Sequence, residues 1–178
     1  IELNVTDIYL ETILNERRVN AAIDIPLLKE MWFSAFHDCD LAIYPGDSII
    51  NWISNSKDTR VSVIEEQGSP IGYIRYKAND IGTIKEFLVK DSHCFIKVAS
   101  YIKNQTNLNI IKIPLHPSSS FVKELPEVDY GTTLSTWVAG MIKILDDQNQ
   151  AITTYVNEVQ LKRREPGIVI WPVEFDVC

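Results

Sequence analysis

The residues able to do chemistry in this chain are few and scattered. His93 sits beside Cys94, but a thiolate nucleophile needs its base across from it, and adjacent residues on one element do not face each other. No Asn or Asp is placed to orient that histidine. His37-Asp38-Cys39 has the same defect, and His116 lies between Pro114 and Pro117. None of these has the spacing of a metal site, so no metal is expected. Tyr101 falls near the end of an amphipathic run, where core filling explains it. Lys162-Arg163-Arg164 is one short basic cluster, read as a solvated helix end or an anion contact. The tail is acidic: Glu174, Asp176 and the carboxylate of Cys178 suit an amine substrate. Trp171, Val173 and Phe175 also alternate there, the pattern of a packed strand.

The elements that must position these groups centre on residues 60–101. Two apolar runs, Val61–Ile64 and Ile71–Tyr76, flank Gly68-Ser69-Pro70, a hairpin signal. A second turn at Asn79-Asp80 leads into Ile81–Val89. The period then changes, and Phe95, Val98, Ala99 and Ile102 recur at helical spacing. Three antiparallel strands feeding a helix predict an α+β fold, a mixed and largely antiparallel sheet with flanking helices.

Before that stretch, Asn4 to Asp7 caps an expected helix through Ile8, Leu10, Ile13 and Leu14. Asn20 to Pro26 breaks it. Leu27, Leu28, Met31, Trp32, Ala35 and Phe36 mark a second helix. Cys39 to Tyr44 is a short apolar run, and Asp47-Ser48 caps a short helix carrying Ile49, Trp52 and Ile53. After the central stretch, strands are expected over residues 107–113, 137–145 (within the segment 132–145, with Gly140 as a bulge) and 168–173, with a helix over 149–159. The chain reads as one domain, 1–178, in which 118–178 extends the sheet.

Composition narrows the function classes. At 178 residues the chain can bury about 70% of its unfolded surface in one core. A net charge of −7 repels phosphate backbones, so nucleic acid is not an expected partner. Three distant cysteines form no disulfide framework and suit a reducing, cytoplasmic setting. No apolar run is long enough to span a bilayer. The chain begins at Ile1 without Met, so a fragment or processed product is expected.

Trp52, the Val61–Glu66 strand, Gly68, Gly72-Tyr73-Ile74 and Ile84-Lys85-Glu86-Phe87-Leu88 together resemble the core of the Gcn5-related N-acetyltransferase fold. Leu41–Trp52 and Trp171–Cys178 are similar to the C-terminal half of fungal lysine N-acetyltransferases, and the whole resembles second domains of survival-type multidomain acetyltransferases. The resemblance implies an acyl-CoA lying beside Phe87, Leu88 and Val89, a helix starting near the pyrophosphate at Ser92, and Glu86 as base. It also implies that the Cys178 carboxylate reaches a sister active site, with Trp52, Trp137 and Asp176 lining the amine groove.

One segment departs from the pattern. A family member carries a glycine-rich loop after the central strand, whereas this chain has Lys90-Asp91-Ser92-His93-Cys94. Asp91 puts negative charge where a pyrophosphate would lie, and Asp91 or Ser92 is sufficiently explained as a helix cap. The expectation is therefore the non-cofactor lobe of an N-acetyltransferase acting on lysine or another small amine. Acetyl-CoA is then held by an N-terminal partner domain outside this chain. The alternative is a non-catalytic regulatory or protein-interaction domain with a degenerate fold. A third reading is a self-contained acetyltransferase with an unusual phosphate loop.

Overall fold

The computed structural model describes residues 1–6, 13–37, 41–42, 48–49, 52–53, 56–115, 121, 124, 130–131, 148, 150–163 and 169–170. The elements are β1 (Glu2–Asn4), β2 (Leu14–Arg17), α1 (Ala21–Phe36), β3 (Leu41–Ala42), β4 (Thr59–Glu66), β5 (Ser69–Lys77), β6 (Asp80–Val89), α2 (Ser92–Gln105), β7 (Ile110–Lys112), β8 (Tyr130–Gly131), α3 (Gln150–Gln160) and β9 (Val169–Ile170). Seven strands form one sheet in the order β2-β4-β5-β6-β7-β1-β8, and β3 pairs with β9 separately. Among the described strands only β6·β7 and β3·β9 are parallel, so the fold is α+β with a mixed, largely antiparallel sheet. Among the described residues no helix is long and apolar enough to cross a membrane.

The β4-β5-β6 meander follows from its turns and its alternation. Gln67 and Gly68 both take positive φ, 51° and 80°, as a two-residue hairpin turn of the primed kind requires. The turn thus lies one step before the expected Gly68-Ser69-Pro70. Ser69 and Pro70 already pair with Glu66 and Glu65, and a register shift beside Ile64 accommodates the proline at the strand start.

Alternation sends side chains to two faces. Val63, Tyr73 and Leu88 stand in register on the face that meets α1, together with Arg17, Arg75 and Glu86. Ile64, Gly72 and Val89 stand on the opposite face with Ile74 and Phe87. There α2 packs its buried Phe95, Val98, Ala99 and Ile102, with Phe87 and Phe95 edge to face at 5.1 Å.

The expected first helix is absent where the chain is described. Asn4 lies in β1 and its Oδ1 accepts from the Thr6 N–H, while Leu14 lies in β2. Leu3 and Val5 are fully buried and two apart, a strand signal too short to register as a period. Helix α1 starts at Ala21, earlier than expected, because Asn20 accepts from the Ala22 N–H and caps it; Pro26 is tolerated inside. The strand over 107–113 narrows to β7, and the helix over 149–159 appears as α3. Ile53 N–H donates to the Ile49 carbonyl, one turn of the expected short helix. Residues 132–145 lie outside the described residues.

Candidate functional site

The junction of β6 and α2 is built around a seam. β7 runs parallel to β6 but pairs with it at one position, Thr83↔Lys112. Beyond that point β6 carries an extra residue, since Tyr76 opposes Ile84 while Arg75 opposes Glu86, leaving Lys85 as a bulge. The hydrogen bond from Lys90 N–H to the Ile71 carbonyl fixes the phase of the ladder. It directs the main-chain groups of Phe87 and Val89 away from β5. No described strand pairs with them there, although both residues are buried.

Glu86 sits on the other face, opposite Arg75. It is 8% exposed, so its carboxylate is buried rather than facing solvent. Arg75 Nε donates to Glu86 Oε2 at 3.1 Å and its Nη2 donates to the Tyr73 hydroxyl at 3.1 Å. The Tyr73 hydroxyl donates to the Trp52 carbonyl at 2.9 Å. Burial pushes the Glu86 carboxyl above its ordinary range, with Arg75 drawing it back. Burial likewise holds Tyr73 well above an ordinary phenol, so it stays protonated. Arg75 holds this carboxylate, so for Glu86 to accept a proton from a substrate the pair would need to open.

The start of α2 tests the fit of a nucleotide cofactor. Asp91 Oδ1 accepts from the Cys94 N–H at 2.7 Å, closing the helix N-terminus with the chain's own carboxylate. Burial raises the Asp91 carboxyl, but the Cys94 and His93 contacts outweigh it and hold it below its usual range. The amide that would bind a pyrophosphate is therefore occupied, and the occupying group is itself an anion. These residues do not fit the phosphate end of acetyl-CoA. Cys94 is buried, and burial followed by Asp91 pushes its thiol up to about 12, so it is no nucleophile at neutral pH. His93 is exposed and Ser92 half-buried at the helix start.

The other expected site residues divide. Phe87, Leu88 and Val89 are buried at the seam. Trp52 is fully buried, its ring edge-on to Tyr73 at 6.0 Å, so here it fills the core. Trp137, Asp176 and Cys178 lie outside the described residues. Among the described residues no group of three His, Cys, Asp or Glu could hold a metal ion.

Two polar clusters were not anticipated. Glu16 on β2 accepts from Ser62 Oγ (2.5 Å), the Tyr76 hydroxyl (2.6 Å) and the Tyr101 hydroxyl (2.8 Å). Burial raises its carboxyl, but those hydroxyls and Arg60 leave it below the ordinary value. Tyr101, expected as core, is partly buried and ends on this carboxylate. Arg17 grips Asp24 of α1 with two nitrogens at 2.7 and 2.8 Å and Glu65 with Nε at 2.5 Å. Both clusters join residues far apart in sequence across β2, the strand that periodicity had placed at the end of a helix.

No protein-family profile, curated protein or solved structure matches the chain.

Proposed function

We propose that this chain is the non-cofactor lobe of an acetyl-CoA-dependent N-acetyltransferase, one that shapes the site of a lysine or another small amine. The observation that carries the reading is the Asp91 cap: the helix that would cradle a pyrophosphate is closed by an anion. The sequence of β4, β5, β6, α2 and a parallel β7 supports the acetyltransferase-like part of the proposal. Acetyl-CoA then belongs to a partner domain. A cytoplasmic setting is part of the same reading, resting on three scattered cysteines.

A second reading, a self-contained acetyltransferase, is favoured by one feature. The edge of β6 at Phe87 and Val89 is left unpaired by every described strand, and an acyl chain could lie along it. Titration calorimetry with acetyl-CoA separates the two. The lobe reading expects no saturable heat from the isolated chain. Tight one-to-one binding would move the cofactor onto this chain and favour the second reading. For the enzymatic role, the tagged chain recovered with its native partners should transfer labelled acetyl groups to a lysine or polyamine acceptor. A recovered complex with no transfer counts against it.

A further inference from the structure

β4 is only half covered. β2 pairs with Val63–Glu66 and stops at Arg17, so Thr59–Ser62 has no neighbour on that side among the described strands. The hydrogen bond from Ala78 N–H to the Asp58 carbonyl, with unbroken register from Thr59 to Ile64, fixes which groups point outward. They are those of Thr59 and Val61. The Thr59 N–H is taken by the Ser56 carbonyl at 3.4 Å. Among the described residues none takes the Thr59 carbonyl or either main-chain group of Val61, so these groups can form a ladder.

This edge opens into a cavity of about 720 Å³ lined by Glu16, Arg17, Arg18, Arg60 and Ser62, with Ile53 among its apolar walls. Three of the chain's six arginines meet there in a protein of net charge −7. Arg17 is neutralised by Asp24 and Glu65. Glu16 is turned toward three hydroxyls and lies in the field of Arg60. Arg18 and Arg60 are exposed and form no direct ion pair with a described carboxylate; Arg60 also faces Glu16 and the Tyr76 hydroxyl, so Arg18 is the less committed of the two guanidinium groups beside this edge.

We propose that this uncovered half of β4 receives an extended acidic segment of a partner protein. The segment adds as a strand at Val61 and sets its carboxylates against Arg18 and Arg60. Strand addition supplies affinity through the main chain, and the arginines supply selectivity. The same charges disfavour a second copy of this chain, because two such edges would bring four guanidinium groups to one seam.

The test uses fluorescein-labelled heptapeptides alternating glutamate with valine, or lysine with valine, read by anisotropy. The acidic peptide should bind saturably and the lysine peptide should not. R18E/R60E, checked by circular dichroism, should weaken binding by about tenfold or more. Proline in place of the central valine should abolish it, and the bound peptide should slow amide exchange at Val61. Four outcomes would overturn the proposal. One is no saturation up to about 1 mM peptide. Another is indifference to R18E/R60E. A third is a proline peptide that binds equally and is displaced by inorganic phosphate, which would mean a small-anion site. The last is concentration-dependent dimerisation that protects Val61 without peptide. None of these readings depends on acetyl-CoA, so this proposal and the lobe reading fail separately.

Discussion

At the scale of single residues, Asp91 and Glu86 are two carboxylates each held by a partner within the chain. Asp91→Ala removes the cap of α2 and should cost about 1 kcal/mol in urea unfolding. The pH dependence has a definite sign. The folded carboxyl lies below its unfolded value of about 3.9, so its stabilisation is present above that value and is lost as pH falls through the folded one. The gap between wild type and D91A should close on acidification; a gap that persists would mean the charge is not what caps the helix. Glu86 has the opposite sign. Its raised carboxyl contributes stability below the unfolded value that is lost as pH rises through the folded one. Glu86→Ala leaves Arg75 buried without its carboxylate and should cost about 3–5 kcal/mol, whereas R75M/E86L should cost far less. A double-mutant cycle of R75M, E86L and R75M/E86L from chemical denaturation measures the coupling, and additive costs would show that the pair is not coupled.

At the scale of elements, the β5–α2 contact rests on the missing side chain of Gly72. A Cβ there would lie 2.7 Å from Val98 Cγ2, and Val98 is β-branched, fully buried and slow to yield. Gly72→Ala should destabilise by about 1–3 kcal/mol, and adding Val98→Ala should recover part of that loss. Additive losses would show that the helix is not held by this contact. This element pair was also the most legible in sequence. Alternation in Val61–Ile64 and Ile71–Tyr76, the Gly68 turn and the change of period at Phe95 are local signals, each set by neighbours a few residues away. β2 was not legible, since Leu14-Asn15-Glu16-Arg17 has no buried alternation and its pairing partners lie about fifty residues downstream. The site followed the same division. The cap at Asp91 could be placed from the helix it begins, but the burial of Glu86 against Arg75, the Glu16 hydroxyl cluster and the open edge of β4 exist only in the tertiary register.

At the scale of the whole molecule, the sheet has two unequal parts. β2, β4, β5 and β6 are joined by long antiparallel ladders, while β7, β1 and β8 attach to β6 through the single described pairing Thr83↔Lys112. Stability therefore should not be uniform, and the seam should open before the meander does. Burial alone would not predict this, because Leu3 and Ile111 in the small part are as fully buried as Tyr73 and Ile74 in the large one. Native-state amide exchange tests the difference. Amides of β1 and β7 should exchange through a partial opening, at least about tenfold faster than those of β5 and with a weaker dependence on denaturant. Matching rates and matching denaturant slopes would mean that side-chain packing across the seam makes the sheet one cooperative unit. A partial opening would instead make the seam beside Phe87 and Val89 the mobile joint of the fold, next to the helix terminus that Asp91 closes.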